Sequence, residues 1–170
     1  MTSTSTRHPE AASLRGAPTV QGSIEIDAPI EQVWEVVTDL EVFPAAIDWV
    51  YEAWSEDETL DEGSVYFERA KPGLRTATYR WTVTACDPPH GTVHYHRSGE
   101  LEAELELTLE PIDDGRTRYT QRMRFRALPA FRPLGYVLER TLMGRSMQRD
   151  FDRMILPNFK RIAENRSVPA

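Results

Sequence analysis

Apolar and polar residues alternate along most of this chain. The pattern opens at Val20–Asp27, where Val20, Ile24 and Ile26 share one side of a predicted strand. Pro29 then stands where a first helical turn tolerates a missing N–H, with Asp27 just before it. The next residues set Ile30, Val33, Trp34 and Val37 on one helical face. A second short helix is expected from Asp39 towards Ile47, interrupted early by Pro44. From Asp48 to Ala127 the pattern becomes strand, turn, strand. The strands expected there are Trp49–Glu56, Ser64–Lys71, Arg75–Cys86, Thr92–Arg97, Glu100–Pro111 and Arg116–Ala127. Gly63, Gly73, Pro88–Pro89, Gly99 and Asp113–Asp114–Gly115 punctuate them. That makes seven strands, the last six consecutive and so an antiparallel meander, with no internal repeat.

From Phe131 to Asn165 the period lengthens to that of one long helix. Leu134, Val137, Leu138, Thr141, Gly144, Gln148, Phe151, Ile155, Phe159 and Ile162 form a stripe, opposed by Glu139, Ser146, Arg149, Asp150, Arg153 and Lys160. The middle of the stripe (Thr141, Gly144, Gln148) is small or polar, which suits a cavity wall better than a packed core. Glycine costs ~1 kcal/mol relative to alanine inside a helix. Gly144 is therefore expected to leave room for a ligand, flanked by Thr141 and Gln148. Gly144→Leu is expected to fill that room and abolish hydrophobic-probe binding.

Register follows from the same alternation. Leu101, Ala103, Leu105, Leu107 and Leu109 share a face, as do Tyr119, Gln121, Met123, Phe125 and Ala127 on the next strand. A three-residue loop Asp113–Asp114–Gly115 pairs Glu110 with Arg118, Thr108 with Thr120, Glu106 with Arg122, Glu104 with Arg124 and Glu102 with Arg126. A shift of one residue would set charge against leucine. Each exposed pair is worth only ~0.2–1 kcal/mol, so this charged side is expected to be a solvated face that fixes register. One hairpin earlier, a loop Arg97–Ser98–Gly99 keeps Val93 and Tyr95 with the leucines and leaves His94 and His96 outside. A two-residue loop Ser98–Gly99 would turn both histidines inward, and the first arrangement is preferred. On the preceding strand the aromatic side, Ala77, Tyr79, Trp81, Val83 and Ala85, is expected to face inward.

The apolar sheet face needs cover, and the long helix is the only element large enough to give it. The expected fold class is α+β: a curved seven-stranded antiparallel sheet wrapped around a long C-terminal helix, with two short helices after the first strand. In "SIEIDAPIEQVWEVVTDLEVFP", "DPPHGTVHYHRSG", "LEPIDDGRTRYTQRMRF" and "MILPNFKRIAE" the chain resembles the START-like helix-grip superfamily (SRPBCC), and within it the polyketide cyclase/dehydrase-like group. The resemblance covers roughly Val20 to Asn165. It implies a deep, mostly apolar pocket for a small hydrophobic molecule; some relatives look like aromatase/cyclases, others bind lipids or quinones without chemistry. The aromatase/cyclase pattern favours tryptophans and arginines around the pocket. Here Phe43 replaces the tryptophan, Arg97 lies where a pocket arginine is expected, and Thr84 stands where a second would be. A gapless match also favours an inward Arg80 over the inward Trp81.

Composition narrows the partners. Of 170 residues, 40% are hydrophobic and 28% charged, which fits one globular domain over 20–165 between an N-terminal tail (1–19) expected to be disordered and a C-terminal tail (166–170). A net charge of −7 argues against a general nucleic-acid binder. The single cysteine, Cys86, excludes an internal disulfide and fits a reducing cytoplasm, and no apolar run is long enough for an integral membrane segment. Homodimer formation is left open. No cofactor and no metal are expected, since His94-x-His96 lacks a third ligand at a recognisable spacing.

The residues expected to contact a ligand are Trp34, Phe43, Phe67, Arg69, Tyr79, Trp81, Tyr95, Arg97, Gln121, Met123, Phe125, Thr141, Gly144, Gln148 and Phe151. Gln121 and Arg97 are the leading polar candidates, because a buried polar side chain needs a partner and a ligand oxygen is one. The leading function is non-covalent binding of a hydrophobic molecule such as a lipid, quinone or polyphenolic compound. An alternative is a cyclase, aromatase or dehydratase on a polyketide-like substrate, with Arg97 stabilising an enolate and Tyr95 relaying a proton. A third is a regulatory interaction module docking through the charged face of the last hairpin.

Overall fold

A computed structural model describes residues 14–71, 75–127 and 143–166. The strands are β1 (Thr19–Ile26), β2 (Val50–Ser55), β3 (Val65–Ala70), β4 (Ala77–Asp87), β5 (Gly91–Arg97), β6 (Leu101–Asp113) and β7 (Arg116–Ala127). They form one antiparallel sheet in the order β1-β7-β6-β5-β4-β3-β2, so the first strand closes onto the last and the other six run as a meander. Between β1 and β2 lie α1 (Ile30–Val37), a 3-10 turn at Leu40–Val42 and α2 (Phe43–Ala46). In α1 the spacing of Val33, Val36 and Val37 buries one face, and Glu31 suits the positive end of its dipole. The Asp39 carboxylate accepts the Glu41 N–H to start the turn, and Pro44 sits in the first turn of α2, where no N–H is needed. Leu14 is fully buried and accepts the Ala17 N–H, so the ordered chain reaches upstream of the expected start at residue 20.

The hairpin of β6 and β7 carries all five expected pairs, from Glu110 opposite Arg118 to Glu102 opposite Arg126. Its loop differs. The ladder slips at Ile112, so that Asp113 pairs with Arg116 and the turn shortens to Asp114–Gly115. Asp113 holds that turn by accepting the Gly115 N–H and the Arg116 Nε–H. The charged face is not solvated along its whole length: Glu102 and Glu104 are buried, the first accepting the Tyr95 hydroxyl and the second held by Arg124.

The C-terminal helix is not one regular helix. It runs as α3 (Gly144–Asp150), a wider π turn at Phe151–Ile155, and α4 (Leu156–Asn165). Pro157 cannot donate the N–H that the carbonyl four residues earlier would accept, and its ring crowds that carbonyl, so the turn before it opens out. One extra residue in a turn rotates everything upstream by about 100°. Phe151, Ile155 and Phe159 therefore point inward as expected, but Met147 takes the inner position upstream in place of Gln148. The expected positions Leu134, Val137, Leu138 and Thr141 lie outside the described residues.

The helix is zipped to the edge strand β1. The Gln148 side chain donates to the Gln21 carbonyl at 2.8 Å and accepts the Gln21 N–H at 3.2 Å, Lys160 donates to the Glu25 carbonyl, and Glu164 accepts the Asp27 N–H. Gly22 permits this approach, because a Cβ there would lie 2.5 Å from Leu156 Cδ1. Gly22→Val is expected to cost about 1–3 kcal/mol of stability through overpacking. A denaturation midpoint equal to the parent's would show that the helix can move off β1 freely.

Candidate functional site

The concave face of the sheet and the helix flank a half-open cavity of about 90 Å³. Val50 with the preceding Ile47 and Trp49, then Glu68 and Ala70 on β3, form one wall; Tyr79 and Trp81 on β4 form the next. Leu101 and Leu105 on β6 and Gln121 and Met123 on β7 continue it, and Met147, Phe151 and Ile155 close it from the helix. Phe43 packs behind this chamber, edge-on to both Tyr66 and Phe159.

Glu68 and Gln121 bring polar groups into this largely apolar space. Glu68 accepts the Trp81 indole N–H at 3.0 Å. Burial pushes its carboxyl up to about 7, only partly offset by that bond. Gln121 is 4% exposed, its Oε1 accepts the Tyr119 hydroxyl, and its Nε2 has no partner among the described residues. Tyr79 also lines the space, its phenol raised by burial and then by the charges of Glu100 and Glu68.

A second polar layer lies within the sheet's inner face. His94 Nδ1 is 2.9 Å from the Tyr66 hydroxyl, and His96 Nδ1 is 2.9 Å from the Arg80 carbonyl. A carbonyl only accepts, so His96 carries its proton on Nδ1 and leaves Nε2 as a bare lone pair when neutral. Burial pushes His94 down to about 4 and also lowers His96, so both rings are neutral at pH 7. Both Nε2 atoms are buried without a hydrogen-bond partner among the described residues. The Tyr66 phenol is raised well above its ordinary value by burial and then by Glu68. Among the described residues no group of three or more His, Cys, Asp or Glu is placed to hold a metal ion.

Of the fifteen positions expected to contact a ligand, the cavity brings together Tyr79, Trp81, Gln121, Met123 and Phe151. Phe125 is fully buried in the same core, and Thr141 lies outside the described residues. Others face elsewhere. On β3 the inward side is Tyr66, Glu68 and Ala70, because these stand opposite Trp81, Tyr79 and Ala77. Phe67 therefore stacks on Trp54 outside the sheet, and Arg69 forms an exposed ion pair with Glu52. The same parity settles the conflict on β4: Trp81 points in, while Arg80 bonds Thr82 on the outside.

On β5 the preferred phase is reversed. His96 stands opposite Ala103 and His94 opposite Leu105, whereas Tyr95 and Arg97 stand opposite Glu104 and Glu102 on the outer face. The Ser98 hydroxyl causes this by accepting the Leu101 and Glu100 N–H groups, which closes a tight turn over Gly99–Glu100. Gly144 and Gln148 line a separate groove with Gly16–Val20, so Gly144→Leu is not expected to fill the cavity. Trp34 lies in an open outer groove with Leu40, Trp54 and Leu60. Tyr66, Glu68, His94 and His96 were not among the expected ligand contacts; strand parity relative to Tyr79 and Trp81 is the signal that finds them.

A family model described as polyketide cyclase / dehydrase and lipid transport matches residues 17–164. A comparison with curated proteins found no match. Among solved structures, the protein TTHA0849 from Thermus thermophilus is similar at 16% identity and a TM-score of 0.72, over 89% of this chain and 100% of that one. A START superfamily protein from Mycobacterium smegmatis is similar at 13% identity and a TM-score of 0.66, over 88% and 99%. The di-domain ARO/CYC BexL from the BE-7585A biosynthetic pathway is similar at 14% identity and a TM-score of 0.67, over 89% of this chain and 48% of that protein. This chain thus spans about half the length of the di-domain protein, and the three likenesses show a shared helix-grip fold. Among the described residues no helix is long and apolar enough to cross a membrane.

Proposed function

Because this chain belongs to the polyketide cyclase / dehydrase and lipid transport family, we propose that it binds a hydrophobic small molecule between the sheet and the C-terminal helix. The observation that carries this reading is the chamber itself. Among the described residues its walls are apolar except for Glu68, Gln121 and the polar tips of Tyr79 and Trp81. At about 90 Å³ it is smaller than the ~150 Å³ apolar cavities that take benzene. A ring enters as Met123 and Met147 give way, since thioether side chains adapt readily. This favours a compact ring system, or the ring end of a longer molecule, over a fully enclosed lipid chain.

Native mass spectrometry after gentle purification, with solvent extraction of any bound compound, tests the reading directly. Met147→Trp is expected to fill the chamber from the helix side and to lower affinity for an apolar ring probe about tenfold or more. Unchanged affinity would place the probe elsewhere and remove this site.

A second reading, cyclase or dehydratase chemistry, is favoured by one feature: a carboxyl poised near neutral pH inside an apolar chamber suits a general acid or base. Arg97 and Tyr95 lie on the outer face, away from the chamber. Turnover of a polyketide-like substrate that survives Glu68→Gln would exclude Glu68 from that role.

A further inference from the structure

Glu68 and Gln121 reach the same chamber from β3 and β7, two strands separated in the sheet by β4, β5 and β6. Each has one end tied and one end free. Trp81 donates to Glu68 Oε2, which leaves Oε1 to accept from a ligand. Tyr119 donates to Gln121 Oε1, which leaves the Nε2 hydrogens to be given away. Gln121 is itself more than nine-tenths buried, so those hydrogens are offered to the chamber rather than to bulk solvent. Among the described residues no lysine or arginine lines the space.

Among the described residues, the surroundings of Glu68 add no positive charge. Tyr66 on its own strand and Tyr79 on β4 keep their protons, and Trp81 is a neutral donor. Among the described residues, the helix offers Met147, Phe151 and Ile155, and β6 offers Leu101 and Leu105.

We propose that the chamber selects a neutral, ring-sized ligand with a carbonyl oxygen for Gln121 and a hydroxyl for Glu68, and rejects carboxylates. This deepens the binding reading above and rests on it. A carbonyl accepts from the amide hydrogens, and a hydroxyl donates to the free carboxylate oxygen. A ligand carboxylate would instead meet Glu68 in a largely apolar space with no cation among the described residues to separate them. A site built to hydrogen-bond a group also disfavours the analogue that lacks it, because the protein's own polar atoms are then stranded.

Three probes of nearly one shape separate these effects at pH 8, where Glu68 is ionised: 4-(hydroxymethyl)acetophenone, 4-acetylbenzoate and 4-ethylbenzyl alcohol. Trp49 and Trp81 line the chamber, so tryptophan fluorescence of the full chain reports occupancy. The hydroxymethyl ketone is expected to bind about tenfold or more tighter than the benzoate, and about fivefold tighter than the alcohol without a carbonyl. Glu68→Gln is expected to shrink the first gap and keep the second; Gln121→Leu is expected to do the reverse. The ranking in the parent protein decides first and needs no variant to fold. Benzoate binding as tight as that of the hydroxymethyl ketone, or a first gap that survives Glu68→Gln, overturns this proposal while leaving hydrophobic binding standing. Failure of all three probes to bind overturns the binding reading itself.

Discussion

Glu68→Gln is expected to stabilise the protein by about 2–3 kcal/mol at pH 8 and to leave it unchanged near pH 4.5. In the unfolded chain this carboxyl loses its proton near 4.5, but burial in the fold holds the proton up to about 7. Between those values the unfolded state sheds a proton that the folded state keeps. Folding stability therefore falls as pH rises through that window, and the whole penalty is present above it. Glutamine cannot ionise, and its side-chain oxygen still accepts the Trp81 indole N–H, so the variant escapes the penalty. His94 works in the opposite direction. Its folded pKa of about 4 lies below the ordinary 6.5, so the stability it contributes is complete above 6.5 and drains away as pH falls towards 4. In the parent the two slopes oppose each other across the mildly acid range. Removing Glu68 uncovers the histidine slope, and the variant is expected to lose stability more steeply on acidification. Urea midpoints at pH 8, 6.5 and 4.5 read this out. A gain of equal size at every pH would mean that the carboxyl is not held neutral by burial.

Phe151→Ala is expected to cost about 3–5 kcal/mol while widening the range of rings that bind. Phe151 is 1% exposed, forms the helix side of the chamber and begins the wide π turn. Truncation removes a ring from a packed wall that the sheet, tied strand to strand, cannot collapse to refill. The lost stability and the enlarged chamber are one event seen by two measurements: the denaturation midpoint, and affinity for a two-ring probe relative to a one-ring probe. A destabilised variant with the parent's size preference would place Phe151 in the core but away from the ligand.

The parts of the fold legible in the sequence are those where a one-residue slip would set unlike groups together. Between β6 and β7 such a slip opposes leucine to arginine, so Glu104 and Arg124 announce their pairing. In β3 and β5 both phases offer a plausible inner side. Val65 and Phe67 look as apolar as Tyr66 and Ala70, and Tyr95 looks more apolar than His94 or His96. Hydropathy alone sends the polar residues outward, whereas here the inner face is partly polar and the outer face partly buried. The deciding information is carried by small hydrogen bonds, such as those of the Ser98 hydroxyl, and by the register with β4. Gln148 departs from its expected place for another reason: a single proline nine residues downstream shifts the helix phase, and a regular 3.6-residue wheel has no place for that. The phase of β3 also hides Glu68, and with it the only carboxylate among the described residues of the chamber.

The pairing of β1 with β7 also sets an order on the chain's biogenesis. Thr19 meets Arg124 across the ladder, so the first strand has no partner until more than a hundred further residues exist. At ~5–20 residues per second on a ribosome, that wait is about 5–20 s. During it Val20 and Ile26, both fully sequestered at the end, must stay unpaired while the five strands β2 to β6 zip neighbour to neighbour. The protein is thus threaded backwards in time: its opening segment is among the last to find a home, and a chain cut short before β7 carries a homeless strand at its front.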